Sequence, residues 1–205
     1  MIYPQNFESR IEFDAIRRML KEQCLCQLGR ERVDDMQFMT DFTAVDTRLN
    51  EVVEFVRIMQ VEDGFPSDFY FDVREPLQRI RIEGMYMGAE ELFALRRSLD
   101  TIGRILSLLR KQGGDSADGD DNPLYPSLRA LAGDVEAFPR IIRDIDTIID
   151  KFGTVKDSAS PTLARIRSEL SRTSGSISRT LNSILRRAQA EGLVEKDASP
   201  TMRDG

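Results

Sequence analysis

Arginine is the residue type whose spacing most strongly suggests a function in this sequence. Six arginines fall between residues 165 and 187, and a single acidic residue, Glu169, lies among them. A guanidinium group binds phosphate through charge-assisted hydrogen bonds that are independent of base sequence. We therefore identify four candidate contacts to a nucleic-acid backbone: Arg172, Arg179, Arg186 and Arg187. A solvated helix face that happens to be basic explains the same residues, and the sequence leaves both interpretations open.

Groups suited to catalysis or to metal binding are scarce. Histidine is absent, which removes the usual general base and the commonest metal ligand. Cys24 and Cys26 fall on a stretch predicted to be helical, where the two thiols would point in different directions, so we expect them to be reduced and unpaired. No Gly-Lys pair occurs, and hence no P-loop for a nucleotide. We expect no catalytic residue, metal or cofactor in this chain, which by itself is not an enzyme.

The elements that must position the arginines are predicted to be helices. Hydrophobic residues make up 40% of the chain and charged residues 31%, and alternating β-branched runs are almost absent, which favours an all-α fold. We expect Thr43 to cap the second of the long helical stretches and Gly153 to end the fourth. The five stretches are 6–26, the one beginning near Thr43, 89–111, 139–152 and 160–189.

The last of these stretches is long and changes character along its length. Its apolar residues keep a heptad-like seam that is interrupted by the polar segment 171–176. A helix that packs, becomes polar and packs again is typical of a lever between two bodies. The residues of the seam are Leu163, Ile166, Leu170, Ile177, Leu181 and Ile184.

Net charge and hydropathy exclude two classes of protein. The formal net charge is −6, which argues against a protein that coats nucleic acid over its whole surface. No apolar run approaches the ~18 residues that a membrane span requires. We therefore expect a cytoplasmic protein without a membrane partner.

Several separated segments resemble the second bacterial MutS family (MutS-II). The segments Leu28–Val33, Asp72–Ile80 and Glu90–Leu99 look like core helices of MutS proteins in general. The stretch Ile148–Leu163 contains Gly-Thr-Val-Lys-Asp-Ser-Ala-Ser-Pro-Thr-Leu, which is similar to a signature of the second family. The sequence Thr-Met-Arg-Asp-Gly at Thr201–Gly205 resembles the start of a strand in that family.

The segment 112–122 is rich in Gly, Asp and Ser, which predicts a flexible acidic linker and is a departure from the family pattern. The resemblance implies an architecture in which residues 1–155, including this linker, form a MutS-core-like helical bundle. It further implies a lever helix at 156–192 that leads toward an absent clamp, and the truncated start of the clamp region at 193–205. The chain would then be the amino-terminal core and lever part of a larger protein. Its role would be to transmit movement between an ATPase domain and a DNA clamp.

The resemblance also implies a function for that larger protein. The family is one of homodimeric, DNA-binding ATPases with an endonuclease domain, which clamp branched DNA and suppress recombination. ATP and Mg²⁺ are implied for the ATPase domain and not for this chain. Branched or duplex DNA is the implied partner, with stalled ribosomes and ribosomal RNA as an alternative. Mismatch reading is not expected, because the wedge-bearing domain of classical MutS is missing.

A second hypothesis comes from another class of protein. The helical seams at Leu92–Leu109 and Leu163–Ile184 are also typical of a protein-interaction scaffold that dimerises without any nucleic-acid role.

Overall fold

The computed structural model describes residues 6–112, 123–195 and 197–199. These residues contain nine α-helices and a 3-10 turn at Asp157–Ala159, and no β-strand. The predicted all-α fold class is therefore confirmed. The helices are α1 (Phe7–Arg10), α2 (Phe13–Gln23), α3 (Gln27–Asp34), α4 (Phe42–Val61), α5 (Arg74–Arg79), α6 (Ala89–Leu109), α7 (Pro126–Leu131), α8 (Pro139–Ile148) and α9 (Pro161–Ala190).

The chain divides into two compact units. The first, the multi-helix unit, is Met1–Thr154 and contains α1 to α8. The second, the long-helix unit, is Val155–Gly205 and contains the 3-10 turn and α9.

The core of the multi-helix unit lies where α4, α6 and α7 meet. Ile58 on α4 and Tyr125, which precedes α7, are both 0% exposed, and Leu109 at the end of α6 packs with them. Partly buried apolar side chains, among them Phe65 and Leu128, surround this cluster. The helices are held together here because large apolar side chains from three separate segments pack against one another and are removed from water.

Glu54 on α4 and Glu62, the residue after α4, hold α7 and the residue before it. The two oxygens of Glu54 accept hydrogen bonds from the backbone N–H groups of Ser127 and Leu128, each at 2.9 Å. Glu62 accepts a hydrogen bond from the hydroxyl of Tyr125 at 3.1 Å and forms an ion pair with Lys111. The pKa of Glu62 is lowered, chiefly because Lys111 donates to its carboxylate.

Polar side chains on α6 hold two neighbouring segments. Arg96 donates from Nε and Nη2 to the carboxylate of Asp146 on α8, at 3.0 and 3.2 Å. Thr101, which is 2% exposed, donates to the backbone carbonyl of Asp68 at 3.1 Å. The hydroxyl of Ser98 likewise donates to the backbone carbonyl of Phe69, at 3.4 Å. The loop before α5 is thus attached to α6 through its own carbonyl groups.

An arginine links α5 to α3. Arg74 forms a two-pronged hydrogen bond with Glu31, both contacts at 2.9 Å, and also binds the carboxylate of Asp72. The hydrogen bonds from Arg74 lower the pKa of Asp72 to about 2. The pKa of Glu31 is lowered for the same reason.

The predicted helix at 6–26 is wrong as a single element. Glu12 has a left-handed backbone (φ 59°) and separates α1 from α2, which ends at Gln23. Cys24 and Cys26 are therefore outside any helix, with extended backbones, although both thiols are free. Their Sγ atoms lie 3.4 and 4.0 Å from where a Cβ on Gly29 would be. The prediction that they point in different directions rested on a helix that is not there.

Two predicted helix ends are also corrected. Asp41, and not Thr43, caps α4, because its carboxylate accepts a hydrogen bond from the N–H of Ala44 at 2.8 Å. The helix α8 ends at Ile148, since the next residue, Ile149, adopts an extended backbone and is buried. Gly153 lies in the turn that follows, with φ at 83°, and a Cβ there would be 3.0 Å from Cγ of Phe93.

The segment after α6 is joined at its two ends. Gln112 and Pro123 form an isolated antiparallel bridge, and the N–H of Leu124 donates to the carbonyl of Lys111 at 3.0 Å. The acidic linker predicted at 112–122 lies outside the described residues except for Gln112. The same holds for position 196 and for 200–205 of the predicted clamp start. Within the described ranges, no helix combines the length and the apolar character needed to cross a membrane.

Candidate nucleic-acid interface

The helix with the candidate arginines has a well-defined beginning. Ser160 caps α9 by accepting a hydrogen bond from the N–H of Leu163 at 3.1 Å, and Pro161 occupies the first helical position. This is the start that the Ser-Pro pair predicts. Arg167 reaches back to the carbonyl of Val155 at 2.9 Å and to the carboxylate of Asp157. The first turns of α9 are thereby attached to the residues that precede it.

The helix remains continuous through the polar segment 171–176 and spans 30 residues. At 1.5 Å per residue it is about 45 Å long. Gly175 lies in its middle, and no atom outside the helix backbone approaches within 4 Å of where its Cβ would be. The long helix predicted at 160–189 therefore exists with nearly the expected ends.

Four of the six arginines of α9 lie on the side of the helix opposite a set of apolar residues. We define the arginine stripe as the four arginines that recur every seven residues: Arg165, Arg172, Arg179 and Arg186. Seven residues are close to two turns, so these positions share one face and rise by about 10.5 Å at each step. A second set with the same period, Leu163, Leu170, Ile177 and Ile184, begins two residues earlier. Two residues correspond to a rotation of about 200°, which places this apolar set on the far side.

The predicted contact residues differ in what surrounds them. Arg172 and Arg186 are exposed and have no hydrogen bond or ion pair within the described part of the chain. Arg179 donates from Nε to the carbonyl of Gly175 in its own helix, at 3.1 Å, and keeps its charge unpaired among the described residues. Arg187 forms an ion pair with Glu191 at 2.9 Å. It also lies about 100° away from Arg186 around the helix. The geometry therefore groups three of the four predicted residues and separates Arg187 from them.

Sequence reasoning overlooked Arg165 as the first member of the stripe. The seven-residue period, which can be read from the sequence, would have found it. Its charge is partly satisfied by Glu169 at 3.1 Å, and both side chains are largely exposed. Such an exposed pair contributes little to stability and is readily exchanged for another anion.

A shallow hollow of about 560 Å³ adjoins the stripe. Its polar lining comes from Ser168, Ser171, Arg172 and the Arg167–Asp157 pair. Hydroxyl groups and guanidinium groups together can surround a phosphate oxygen with hydrogen-bond donors.

The charge of α9 contrasts with that of the chain as a whole. The helix holds six of the 29 basic residues and one of the 35 acidic residues. No group of three or more His, Cys, Asp or Glu side chains that could hold a metal is found in the ranges that the structure describes. The excess of guanidinium groups on α9 is of the kind that suits electrostatic contact with an anionic polymer.

Comparison with protein-family models finds no match. Comparison with curated proteins finds bacterial relatives that share the name Endonuclease MutS2. The chain is 28% identical over 194 residues to the protein of Lacticaseibacillus casei, which covers 95% of this chain. It is 29% identical over 198 residues to that of Listeria monocytogenes, and 26% identical over 202 residues to that of Bacillus velezensis.

These matches cover nearly all of this chain but only a small part of each relative. The matched residues amount to 23% of the Lacticaseibacillus protein and 24% of the other two. The relation to the second MutS family, predicted from the separated motifs, is confirmed as a distant one, at 26 to 29% identity over nearly the whole chain. The chain is a distant relative of the MutS2 endonucleases, and it spans about a quarter of their length.

Proposed function

We propose that this chain is the core and lever part of a MutS2-type protein that clamps branched DNA and restrains recombination. In this proposal the multi-helix unit is the core and α9 is the lever, which transmits movement between an ATPase domain and a clamp. The division of the chain next to the start of α9 supports these roles. The predicted domain limits at 155 and 192 belong to the same proposal.

The observation that carries the proposal is the arginine stripe. Its 10.5 Å repeat is similar to the ~12 Å width of the major groove of DNA. Arginines one repeat apart can therefore reach phosphates of opposite strands across that groove. Since only phosphates are contacted, binding should not depend on base sequence. Arg187 joins this interface when a DNA phosphate replaces Glu191 as the partner of its guanidinium group.

The catalytic functions are assigned to the part of a MutS2-type protein that this chain does not match. The chain's own residues do not suit an ATP or Mg²⁺ site, because the sequence lacks a Gly-Lys pair and the described residues lack a carboxylate cluster. ATP hydrolysis, nuclease activity and the contacts of a full-length homodimer are therefore proposed for the rest of the protein.

The experiment measures the salt dependence of binding to a labelled four-way DNA junction and to a duplex by fluorescence anisotropy. Between about 50 and 200 mM salt, each phosphate contact adds about 0.9 to the slope of log K against log salt. We expect R172Q, R179Q and R186Q each to reduce that slope by about 1. R140Q is the matched control, because Arg140 is exposed and belongs to the multi-helix unit.

Equal slopes for the wild type and a variant with all three substitutions would contradict the interface. Failure to bind either DNA at the lowest salt would also contradict it for this chain. A labelled ribosomal RNA hairpin in the same titration distinguishes the RNA alternative, because preference for it over the junction would move the proposed partner to the ribosome.

The scaffold hypothesis is supported by the exposure of the apolar side of α9. Leu170 is 68% exposed, Ile177 is 51% exposed and Ile184 is 59% exposed. Association through this side would not respond to DNA or to the arginine substitutions. Light scattering of L170D and of the wild type, without nucleic acid, tests that hypothesis separately.

A further inference from the structure

The loop between α4 and α5 displays aromatic side chains that the core of the multi-helix unit does not use. The ring centroids of Phe69 and Phe71 lie 6.2 Å apart, and the ring planes are tilted by 32°. Phe69 is 41% exposed and Phe71 is 39% exposed. The two rings therefore form an aromatic surface that is partly open to solvent.

The backbone at Phe69 has a conformation that a bulky residue rarely adopts, with φ at 66° in the left-handed region. Two buried hydroxyls of α6 hold the loop in this conformation. Thr101 donates to the carbonyl of Asp68, and Ser98 donates to that of Phe69. Ser98 also accepts a hydrogen bond from the N–H of Phe71 at 3.4 Å. Such strain persists only where the surrounding structure imposes it, and it is concentrated at functional sites.

A cation lies against the same rings. The guanidinium carbon of Arg97, on α6, is 4.4 Å from the ring centroid of Phe69 and 5.1 Å from that of Phe93. Its neighbour Arg96 is paired with Asp146, whereas Arg97 forms no hydrogen bond or ion pair with the residues that the structure describes. The rings thus support the guanidinium plane, and its N–H groups are available to an incoming anion.

The turn after α8 brings another ring and another cation to this place. Its backbone lies directly against Phe93, because a Cβ on Gly153 would be 3.0 Å from Cγ of that ring. The preceding residue, Phe152, is 75% exposed, and Nζ of Lys151 lies 4.9 Å from its ring centroid. Lys151 has no carboxylate partner in the described ranges. We define the aromatic–cation patch as Phe69, Phe71, Arg97, Lys151 and Phe152.

Most of the carboxylates adjacent to the patch in sequence are already engaged. Asp72 binds Arg74. Asp150 accepts hydrogen bonds from the backbone N–H groups of Phe152 and Thr154, at 2.8 and 2.9 Å. Asp68 is exposed and forms no ion pair among the described residues. The patch therefore presents two unpaired cations against one unpaired carboxylate.

Exposed planar rings beside unpaired cations suit unpaired nucleotides in particular. Every base can stack on an aromatic side chain, and the phosphates on either side bind cations, so such a site tolerates any sequence. The bases of a duplex are already stacked on one another and do not offer their faces. An acidic peptide would satisfy the cations but would leave the exposed rings unused.

We propose that the aromatic–cation patch binds single-stranded DNA, through base stacking on its rings and phosphate contacts from its two cations. This inference rests on the proposed function, because branched DNA such as a flap or a fork carries unpaired nucleotides. The patch belongs to the multi-helix unit and the arginine stripe to the long-helix unit, so the two sites can be altered separately.

Fluorescence anisotropy with two labelled strands tests the proposal. Both strands have about twelve nucleotides, a length in the range of single-strand binding sites. One is oligo(dT) and the other consists of abasic sites, so the phosphates are the same and only the bases differ. We expect the wild-type chain to bind oligo(dT) at least tenfold more tightly than the abasic strand, since stacking favours the former.

The double variant F71A/F152A should bind the two strands with nearly equal affinity. F42A is the matched control, because Phe42 belongs to the same unit, lies outside the patch and is 82% exposed. It should keep the wild-type ratio of affinities. Far-UV circular dichroism should show the same fold in all variants.

Two further variants separate the ring and the cation from the backbone that carries them. F69G removes the ring, and glycine adopts φ at 66° without strain, so a loss of oligo(dT) affinity in F69G would not come from a distorted loop. R97Q should reduce the salt slope for oligo(dT) by about 0.7, the value for one phosphate contact on a single strand. R110Q, about 220° away around α6, should leave that slope unchanged.

Equal affinities of the wild type for the two strands, or an unchanged ratio in F71A/F152A, would overturn the proposal. A poly-glutamate peptide that competes as well as oligo(dT) would also overturn it and would assign the patch to an acidic protein segment. The variant R172Q/R179Q/R186Q should keep the wild-type ratio. A junction salt slope that does not respond to that variant would refute the interface on α9 alone, whereas a ratio near one would refute the patch alone.

Discussion

The carboxylate of Glu54, on α4, accepts a hydrogen bond at 2.9 Å from the backbone N–H of Ser127, in the first turn of α7. Its other oxygen accepts from Leu128 at the same distance. Tyr125, the residue at the N-cap position of α7, accepts no hydrogen bond from these N–H groups through its side chain. A residue 73 positions earlier in the chain therefore satisfies the free N–H groups of this short helix.

The first prediction concerns this distant cap. E54Q retains one acceptor oxygen but loses the negative charge at the helix amino terminus, so it should lower the free energy of unfolding by about 1 kcal/mol. E51Q, on the same helix, removes only a pair with Arg48 and should cost less than about 0.5 kcal/mol. Urea unfolding followed by circular dichroism measures both. Equal losses for the two variants would show that Glu54 does not act as a cap.

The second prediction concerns stability at acid pH. The folded pKa of Asp72, about 2, lies below its ordinary value of 3.8 because Arg74 donates to the carboxylate. A lowered pKa stabilises the fold above the unfolded value, and this contribution disappears as the pH falls from about 4 to about 2. In D72N, the melting temperature should therefore fall less steeply over that range than in the wild type.

The acid-induced fall in the melting temperature of D72N should be smaller than in the wild type but should not disappear. Three other carboxylates, Glu31, Glu62 and Glu91, also have lowered pKa values in the folded protein. D134N is the control, since Asp134 is exposed and forms no ion pair among the residues described. If D72N and the wild type lose melting temperature in parallel, the Asp72–Arg74 contact does not act in the folded protein.

The third prediction contrasts two glycines. Gly175 has helical neighbours and open space around its Cβ position, so G175A should stabilise α9 locally by about 1 kcal/mol. Gly153 has φ at 83° and Phe93 at 3.0 Å, so G153A should destabilise the multi-helix unit by about 1–2 kcal/mol. Amide hydrogen exchange should be slower in α9 of G175A and faster around Phe93 in G153A. The opposite sign for either variant would contradict the backbone conformation described here.

The parts of the fold that sequence predicts well have local causes. The start of α9 is encoded by Ser160 and Pro161, and its apolar period continues to residue 184, so its ends fall close to their expected places. The resemblance to the second MutS family depends on short motifs, each of which can be read from consecutive residues, and it agrees with the curated relatives. The all-α class follows from composition and from such periods.

The parts that sequence reasoning missed depend on distant or unusual contacts. Helix α7 was not predicted, because it has six residues and its cap comes from Glu54. The break between α1 and α2 depends on a left-handed Glu12, which is not a residue type that signals such a turn. The prediction that Gly153 ends α8 is wrong, because the helix ends at Ile148 and Gly153 lies in the turn beyond it, with φ at 83°.

The candidate interface shows the same division. The seven-residue period of the arginines can be read from the sequence. Which of these arginines form ion pairs can be read from it only in part. The Arg187–Glu191 pair has a four-residue spacing and could have been predicted. The Arg167–Asp157 pair could not, because it depends on how the 3-10 turn leads into α9.

The bridge between Gln112 and Pro123 has a consequence for how this chain tolerates change. Because the two ends of the intervening segment are held together, its length can vary without altering the spacing between α6 and α7. Loop-closure entropy rises only with the logarithm of length, so doubling such a segment costs about 0.6 kcal/mol. A fluorescent reporter or an entire small domain could therefore be inserted at this point, and the surrounding helices would keep their pairing.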